Sequence, residues 1–203
     1  MSPGRAMENR GTVVAKIGET LFPRRGVIWG VLALLVFILA HPQRMLFTYG
    51  LWLIGLGEAL RIWAVGYIRN YRGAMEEDVE ELTTCGPYAY VRNPLYLANG
   101  IIGTGIVLLS GLWWVVIVFW AIFVVLYGSI VKAEEAFLEG KFGEGYREYR
   151  ASVPGFFFRL SPYPGRKKPF SLQIVLQKEI ITLATLGLLI VLFYFRGFGF
   201  LAF

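Results

Sequence analysis

LWWVVIVFWAIFVVLYGSIV, residues Leu112 to Val131, is twenty residues long without one charged side chain. A helix of twenty residues rises about 30 Å, the thickness of the hydrocarbon layer of a bilayer. Working outward, Ser110-Gly111 separates this run from another that begins at Pro94. With almost no loop between them, the two form a tight antiparallel hairpin. Further upstream lie a run from Met45 to Ile68 and a shorter one from Gly26 to Ala40, stopped by His41-Pro42. Downstream, a polar and aromatic stretch from Lys132 to Lys168 precedes a last run from Leu172 to Phe195. The pattern predicts an all-α, polytopic integral membrane bundle of about five transmembrane helices.

Composition agrees. The 203 residues are 56% hydrophobic and only 17% charged, with a mean hydropathy of +0.57. A soluble domain of this length has too little interior to hide so much apolar side chain. The net charge is +6, but the basic residues sit beside apolar runs, which points to membrane flanks and away from nucleic acid. Sixteen Lys and Arg fall in the N-terminal tail, the segment after the second run and the segment after the fourth, against Arg44 and Arg196 on the other side. That bias predicts a multi-pass protein of a cell or endoplasmic reticulum membrane, with its N-terminus and both long polar segments in the cytoplasm. The expected division is one membrane domain: a cytoplasmic segment 1–25, four spans over 26–131 with a cytoplasmic loop 69–93, a second cytoplasmic segment 132–171, and a last span 172–196. Within the first segment, Thr12 to Phe22 has the makings of a short surface helix. No signal-peptide pattern is expected at the N-terminus.

Cys85 and His41 are the only cysteine and histidine. An internal disulfide and a multi-histidine or cysteine-cluster metal site are therefore excluded, and no metal is expected. The chemistry must come from carboxylates, arginines and tyrosines, which concentrate in the two polar segments. The first ends in Gly86-Pro87-Tyr88-Ala89-Tyr90-Val91-Arg92-Asn93-Pro94-Leu95-Tyr96. Gly86 and Pro87 favour a turn, Pro94 suits the first position of a helix, and Asn93 suits its cap. A helix N-terminus beside Arg92 suits a carboxylate or phosphate, and equally suits a capped helix anchored to lipid headgroups.

The second segment carries Glu134-Glu135, then Phe142-Gly143-Glu144-Gly145-Tyr146-Arg147-Glu148-Tyr149-Arg150 and Val153-Pro154. Neighbours on a helix point about 100° apart, so one of the two glutamates can bind a ligand while the other orients an arginine. A helix end paired with Lys132 or Lys141 is the alternative. Glu58 and Arg61 share a face of the second run, either as a self-neutralising pair or as a wall of a polar cavity. Lys178 and Glu179 pose the same choice. Gly103-Thr104-Gly105 serves either close helix packing or close approach of a ligand.

These residues resemble the isoprenylcysteine carboxyl methyltransferase and phospholipid methyltransferase superfamily. The likeness rests on Gly86-Pro87-Tyr88, Val91-Arg92-Asn93-Pro94-Leu95-Tyr96, Glu134-Glu135-x-x-Leu138, Phe142-Gly143-x-x-Tyr146-x-x-Tyr149 and Val153-Pro154, with Leu60-Arg61-x-Trp63-Ala64 upstream. It spans about Leu56 to Pro162. The resemblance implies a membrane-embedded methyltransferase that uses S-adenosylmethionine without a soluble nucleotide-binding domain. By position, Gly86, Tyr88, Arg92, Asn93, Pro94, Tyr96, Gly103, Gly105 and Glu134 would line the cofactor. Glu135, Arg61, Tyr146, Tyr149 and Arg150 would close the site or meet the acceptor. Asn93 stands where carboxyl methyltransferases usually have histidine, so the acceptor, a lipid or other hydrophobic molecule, stays open. A reductase using NADPH, like the membrane sterol reductases, and a non-enzymatic membrane scaffold are the competing readings.

Overall fold

The computed structural model describes residue 20 and residues 22–68, 81–165 and 167–199. The surface helix expected over Thr12 to Phe22 lies mostly outside these residues, as do Arg69, Arg72, Glu76, Glu77, Asp78, Glu80 and Arg166. Every regular element among the described residues is helical. In chain order they are α1 (Arg25–Ile38), α2 (Arg44–Val65), α3 (Pro94–Leu109), α4 (Val115–Phe142), α5 (Glu144–Ser152) and α6 (Leu172–Phe198). Short 3-10 turns cover Phe22–Arg24 and Gly86–Ala89.

This is a membrane helix bundle. α2, α4 and α6 are long and apolar enough to cross a bilayer, and α1 and α3 are shorter apolar helices. At 16 residues, α3 rises about 24 Å, less than the hydrocarbon layer. The helix that carries the expected fourth span does not stop at Val131. It runs on through Lys132 to Phe142 as one 28-residue helix. Lys, Ala, Glu and Leu are good helix formers, and nothing in Lys132 to Glu139 breaks the pattern. The helix ends at Gly143, whose φ of +56° is one that side-chain-bearing residues avoid. The extra turns lift Glu134 and Glu135 to the end of the apolar layer on a rigid rod.

α3 is the central helix, packed between α2 and α4. Against α2 the backbones nearly touch: a Cβ at Gly50 would lie 2.7 Å from the carbonyl oxygen of Gly105, and one at Gly105 equally close to that of Gly50. Gly57 meets Ala98 and Ile102 in the same way. Small residues let helices in lipid gain van der Waals contact where no hydrophobic drive separates helix from solvent. Against α4 the joint is aromatic. Phe119, Phe123 and Tyr127 form a column on one face, covered by Trp29 of α1, which stacks on Tyr127 at 6.2 Å. The column ends at Tyr96 of α3, 4.9 Å from Tyr127. α6 closes the bundle with Val175, Glu179, Leu186 and Phe193 turned inward, while Ile180, Ile181 and Leu188 face outward as lipid requires.

The two ends differ. At one end the chain makes tight turns: His41 N–H donates to Ser110 O at 2.8 Å, Gly111 has a φ of +79°, and Arg196 reaches Ile38 O at 3.2 Å. Trp113 and Trp114 are exposed there, where interfacial aromatics belong. At the other end α5 and residues 153–165 and 167–171 fold under the starts of α3 and α6.

Candidate functional site

The site is assembled at that second end. Gly86 opens the turn with a φ of +60°, against the ring of Tyr67, where a Cβ would lie 2.4 Å away. The chain then runs beside the 154–163 segment and is stitched to it. Arg92 N–H donates to Pro154 O at 2.9 Å, Asn93 N–H to Gly155 O at 3.2 Å, and in return Arg159 N–H donates to Tyr90 O at 3.0 Å. Asn93 does not cap α3 with its side chain; its Nδ2 is spent on Gly155 O at 3.1 Å. The expected cap is thus replaced by a tie between the two polar segments.

Glu134 and Glu135 diverge as their helical spacing requires. Glu134, 7% exposed, accepts a hydrogen bond from the Tyr96 hydroxyl inside the bundle. Glu135 turns the other way and forms ion pairs with two arginines, Arg92 Nη2 at 3.0 Å and Arg150 Nε at 3.7 Å. Arg92 also donates from Nη1 to the carbonyl of Arg150 at 2.7 Å. Its fork therefore latches the start of α3 to α4 and α5 at once. The buried Nε of Arg92 is left with no partner among the described residues.

Glu139, one turn after Glu135, extends the network to Arg147 at 2.8 Å and Arg150 at 3.2 Å. Its role was not anticipated, although the spacing Glu135 to Glu139 puts both carboxylates on one helical face. Tyr146 and Tyr149 are buried with Val153 beneath this network. The Tyr149 hydroxyl donates to Tyr88 O at 2.8 Å, fixing the Gly86 turn. Burial pushes both phenols well above their ordinary range, helped at Tyr146 by the charge of Glu135. Both are neutral donors near pH 7, not bases.

Deeper in the bundle, Arg61 ignores Glu58, its neighbour on α2. It donates from Nε to Glu179 at 2.6 Å and from Nη1 to Asn99 at 2.5 Å, joining α2 to α6 and α3. The self-neutralising Glu58–Arg61 pair does not form. Asn99 lies one helical turn from Tyr96. Its place on an otherwise apolar stretch of α3 is the sequence signal that could have found it.

The model of the family described as phospholipid methyltransferase matches residues 44–145. The chain belongs to the phospholipid methyltransferase family. The match covers α2 through α4 and ends just before Tyr146, so it includes the Arg92 turn and both glutamates. Among similar proteins, the cobalt-zinc-cadmium resistance protein CzcN of Cupriavidus metallidurans is 34% identical over 60% of this chain and 53% of its own length. The nickel-cobalt-cadmium resistance protein NccN of Alcaligenes xylosoxydans xylosoxydans is 30% identical over 66% of this chain and 64% of its own. The protein-S-isoprenylcysteine O-methyltransferase of Schizosaccharomyces pombe is 36% identical over 36% of this chain and 31% of its own. The chain thus spans between about a third and two thirds of the length of these relatives. No solved structure matches it.

Within this phospholipid methyltransferase family member, Gly86, Tyr88, Arg92, Asn93, Pro94, Tyr96 and Glu134 gather around the start of α3. Glu135, Tyr146, Tyr149 and Arg150 gather on its outer side, and Arg61 lies deeper. Gly103 and Gly105 do not join them. A Cβ at Gly103 would strike the Phe119 ring at 2.3 Å, and Gly105 is pressed against α2, so both serve helix packing. Among the described residues, no group of three or more His, Cys, Asp and Glu is placed to hold a metal ion.

Proposed function

We propose that this chain is an integral membrane methyltransferase that draws on S-adenosylmethionine and methylates a lipid or other hydrophobic acceptor. The observation that carries the reading is the paired glutamates of α4 working in opposite directions at the end of the apolar bundle. Glu134 faces inward with Tyr96, and Glu135 holds the Arg92 latch.

The donor set fits the methyl donor. Glu134 suits its ribose hydroxyls or its ammonium, and the orphaned Nε of Arg92 suits its carboxylate. Tyr96 and Tyr127 offer aromatic faces beside them. When bound, the sulfonium supplies a methyl group with a neutral thioether as leaving group. The residues of the chain have little covalent work to do; they hold the reactants in line and keep water out. Glu135, Arg92 and Arg150 hold the Arg92 turn against the Glu134 helix, and Tyr149 keeps the Gly86 turn from opening. We further propose that this end faces the cytoplasm, where a water-borne donor reaches it, while the acceptor arrives sideways from lipid.

Equilibrium binding to purified protein in neutral detergent tests the reading. Labelled S-adenosylmethionine should bind saturably. Glu134→Gln and Tyr96→Phe should each weaken it about ten-fold or more, the loss of one charge-assisted hydrogen bond, while the variants keep the parent's helicity. Saturable NADPH binding with none of S-adenosylmethionine would favour a reductase. Normal S-adenosylmethionine binding by folded Glu134→Gln would remove the site assignment.

A further inference from the structure

Between α5 and α6 the chain carries a short apolar run, Gly155-Phe156-Phe157-Phe158-Arg159-Leu160. None of its large apolar side chains is buried. Phe157 is 81% exposed, Leu160 is wholly exposed, and Phe156 and Phe158 lie open beside them. The backbone holds them there. Arg92 N–H and Asn93 N–H bond the carbonyls of Pro154 and Gly155, Arg159 N–H bonds Tyr90 O, and Tyr163 N–H bonds Ala89 O at 2.9 Å. With that edge committed to the turn before α3, the loop cannot roll over to hide its rings. Large apolar side chains displayed together on a fixed loop mark a contact surface.

The depth of the loop says what it meets. Tyr90, which receives the Arg159 N–H, lies 6.2 Å from the ring of Trp63 in the last turn of α2. Trp63 is itself partly open to the outside, as an indole at the edge of the apolar layer is. After the loop, Ser171 N–H donates to Gly66 O at 2.9 Å, and the chain passes through exposed Phe170 and Leu172 into the outward side of α6. The loop therefore sits at the level where α2 ends and α6 begins, and the apolar surface that α6 turns to lipid starts beside it.

Its charge points the same way. Between residues 151 and 177 the sequence has Arg159, Arg166, Lys167 and Lys168 and not one carboxylate. Lys168 is paired with Glu81 at 2.6 Å. Arg159 donates from Nη2 to a hydroxyl, Ser161 Oγ, at 3.3 Å, and its Nη1 has no acceptor, so the guanidinium keeps donors for a phosphate. Lys167 is exposed.

We propose that the 156–160 loop is an interfacial foot. Its rings and Leu160 enter the acyl boundary of the adjoining leaflet, and Arg159 and Lys167 meet the phosphates of anionic lipid there. The occupant is the lipid surface and not a second protein. Because the same segment holds Arg92 and Asn93 by their backbones, the foot ties the turn before α3 to the plane of the membrane. It owes nothing to the methyl-transfer reading.

Fluorescence quenching in nanodiscs tests this. The full chain in a Cys85→Ser background receives Phe157→Cys, Leu160→Cys or, as a control on the exposed side of α5, Glu148→Cys, each carrying the same environment-sensitive fluorophore. The discs hold phosphatidylcholine and phosphatidylglycerol in equal amounts. Quenching is measured with aqueous iodide and with either lipid bearing a nitroxide high on its acyl chain. At positions 157 and 160 the lipid nitroxides should quench, and iodide should quench far less than at position 148. Nitroxide on phosphatidylglycerol should quench more than nitroxide on phosphatidylcholine. Arg159→Gln with Lys167→Gln should bring the two lipids towards parity, each charge being worth up to about five-fold in local enrichment. Should Arg159→Gln fail to fold, Lys167→Gln alone, at an exposed position, is expected to lower the preference. Iodide quenching at 157 and 160 equal to that at 148 puts the loop in water and overturns the proposal. Protection from iodide without quenching by lipid means that protein, a second copy included, covers the loop, and overturns it too. Equal quenching by the two lipids with Arg159 and Lys167 intact overturns the anionic contact.

Discussion

Arg92 shows how much one side chain carries here. Its planar fork spans a carboxylate on α4 and a backbone carbonyl on α5, which a lysine ammonium cannot do from one position. Arg92→Ala leaves Glu135 and the Arg150 carbonyl short of a partner. It should destabilise the protein by about 3 kcal/mol, the low end for breaking a buried pair, because Arg150 still reaches Glu135. Arg92→Lys should lose less, and thermal unfolding in detergent ranks the two. Beneath this network, Tyr146 and Tyr149 hold their protons more tightly when folded than when unfolded. Their contribution is complete below the unfolded value of about 10 and is lost as pH rises above it, because only the unfolded chain gives up the protons. Thermal midpoints should therefore fall as pH is raised from 9 towards 11. Tyr149→Phe should flatten that fall, while losing about 1 kcal/mol at neutral pH with the hydrogen bond to Tyr88.

At the scale of elements, α3 is held by opposite means on its two sides, glycine against glycine on α2 and ring against ring on α4. Gly105→Val places branched carbon where the Gly50 carbonyl and Ile54 now sit. Overpacking of this kind costs about 1–3 kcal/mol or forces α2 and α3 apart, and it displaces Arg61 from Asn99. Lowered thermal stability with weakened cofactor binding would register both effects. An unchanged midpoint would mean that α2 and α3 are not packed this closely. The short rise of α3 also bears on function. A helix that spans less than the hydrocarbon layer leaves its first residues, Pro94 to Tyr96, below the level reached by the end of α4. Long α4 can then bring Glu134 alongside them.

For the whole molecule, alternating helix directions put the Arg92 turn, α5 and the start of α6 at one end and the Ser110–Trp114 turn at the other. If the basic end is cytoplasmic, a cysteine placed at Ser161 in a Cys85→Ser background should react with a membrane-impermeant thiol reagent only when the cytoplasmic side is opened. One placed at Trp113 should react from outside; the opposite result would invert the orientation. Much of this plan was legible from residues alone. Apolar runs and basic flanks are one-dimensional patterns, because burial in lipid is set by local composition over a helix length. Thus the bundle and the α3–α4 hairpin could be read from order and spacing, whereas the meeting of the Arg92 turn with the Glu134–Glu135 helix came only from the family resemblance. The partner of Arg61 could not. Glu58 is three residues away and Glu179 is 118 residues away, yet the guanidinium chose the distant carboxylate. That choice depends on how α2, α3 and α6 are rotated about their axes. Rotation is fixed by packing among all the helices, such as the Gly50–Gly105 approach, and no single segment contains it.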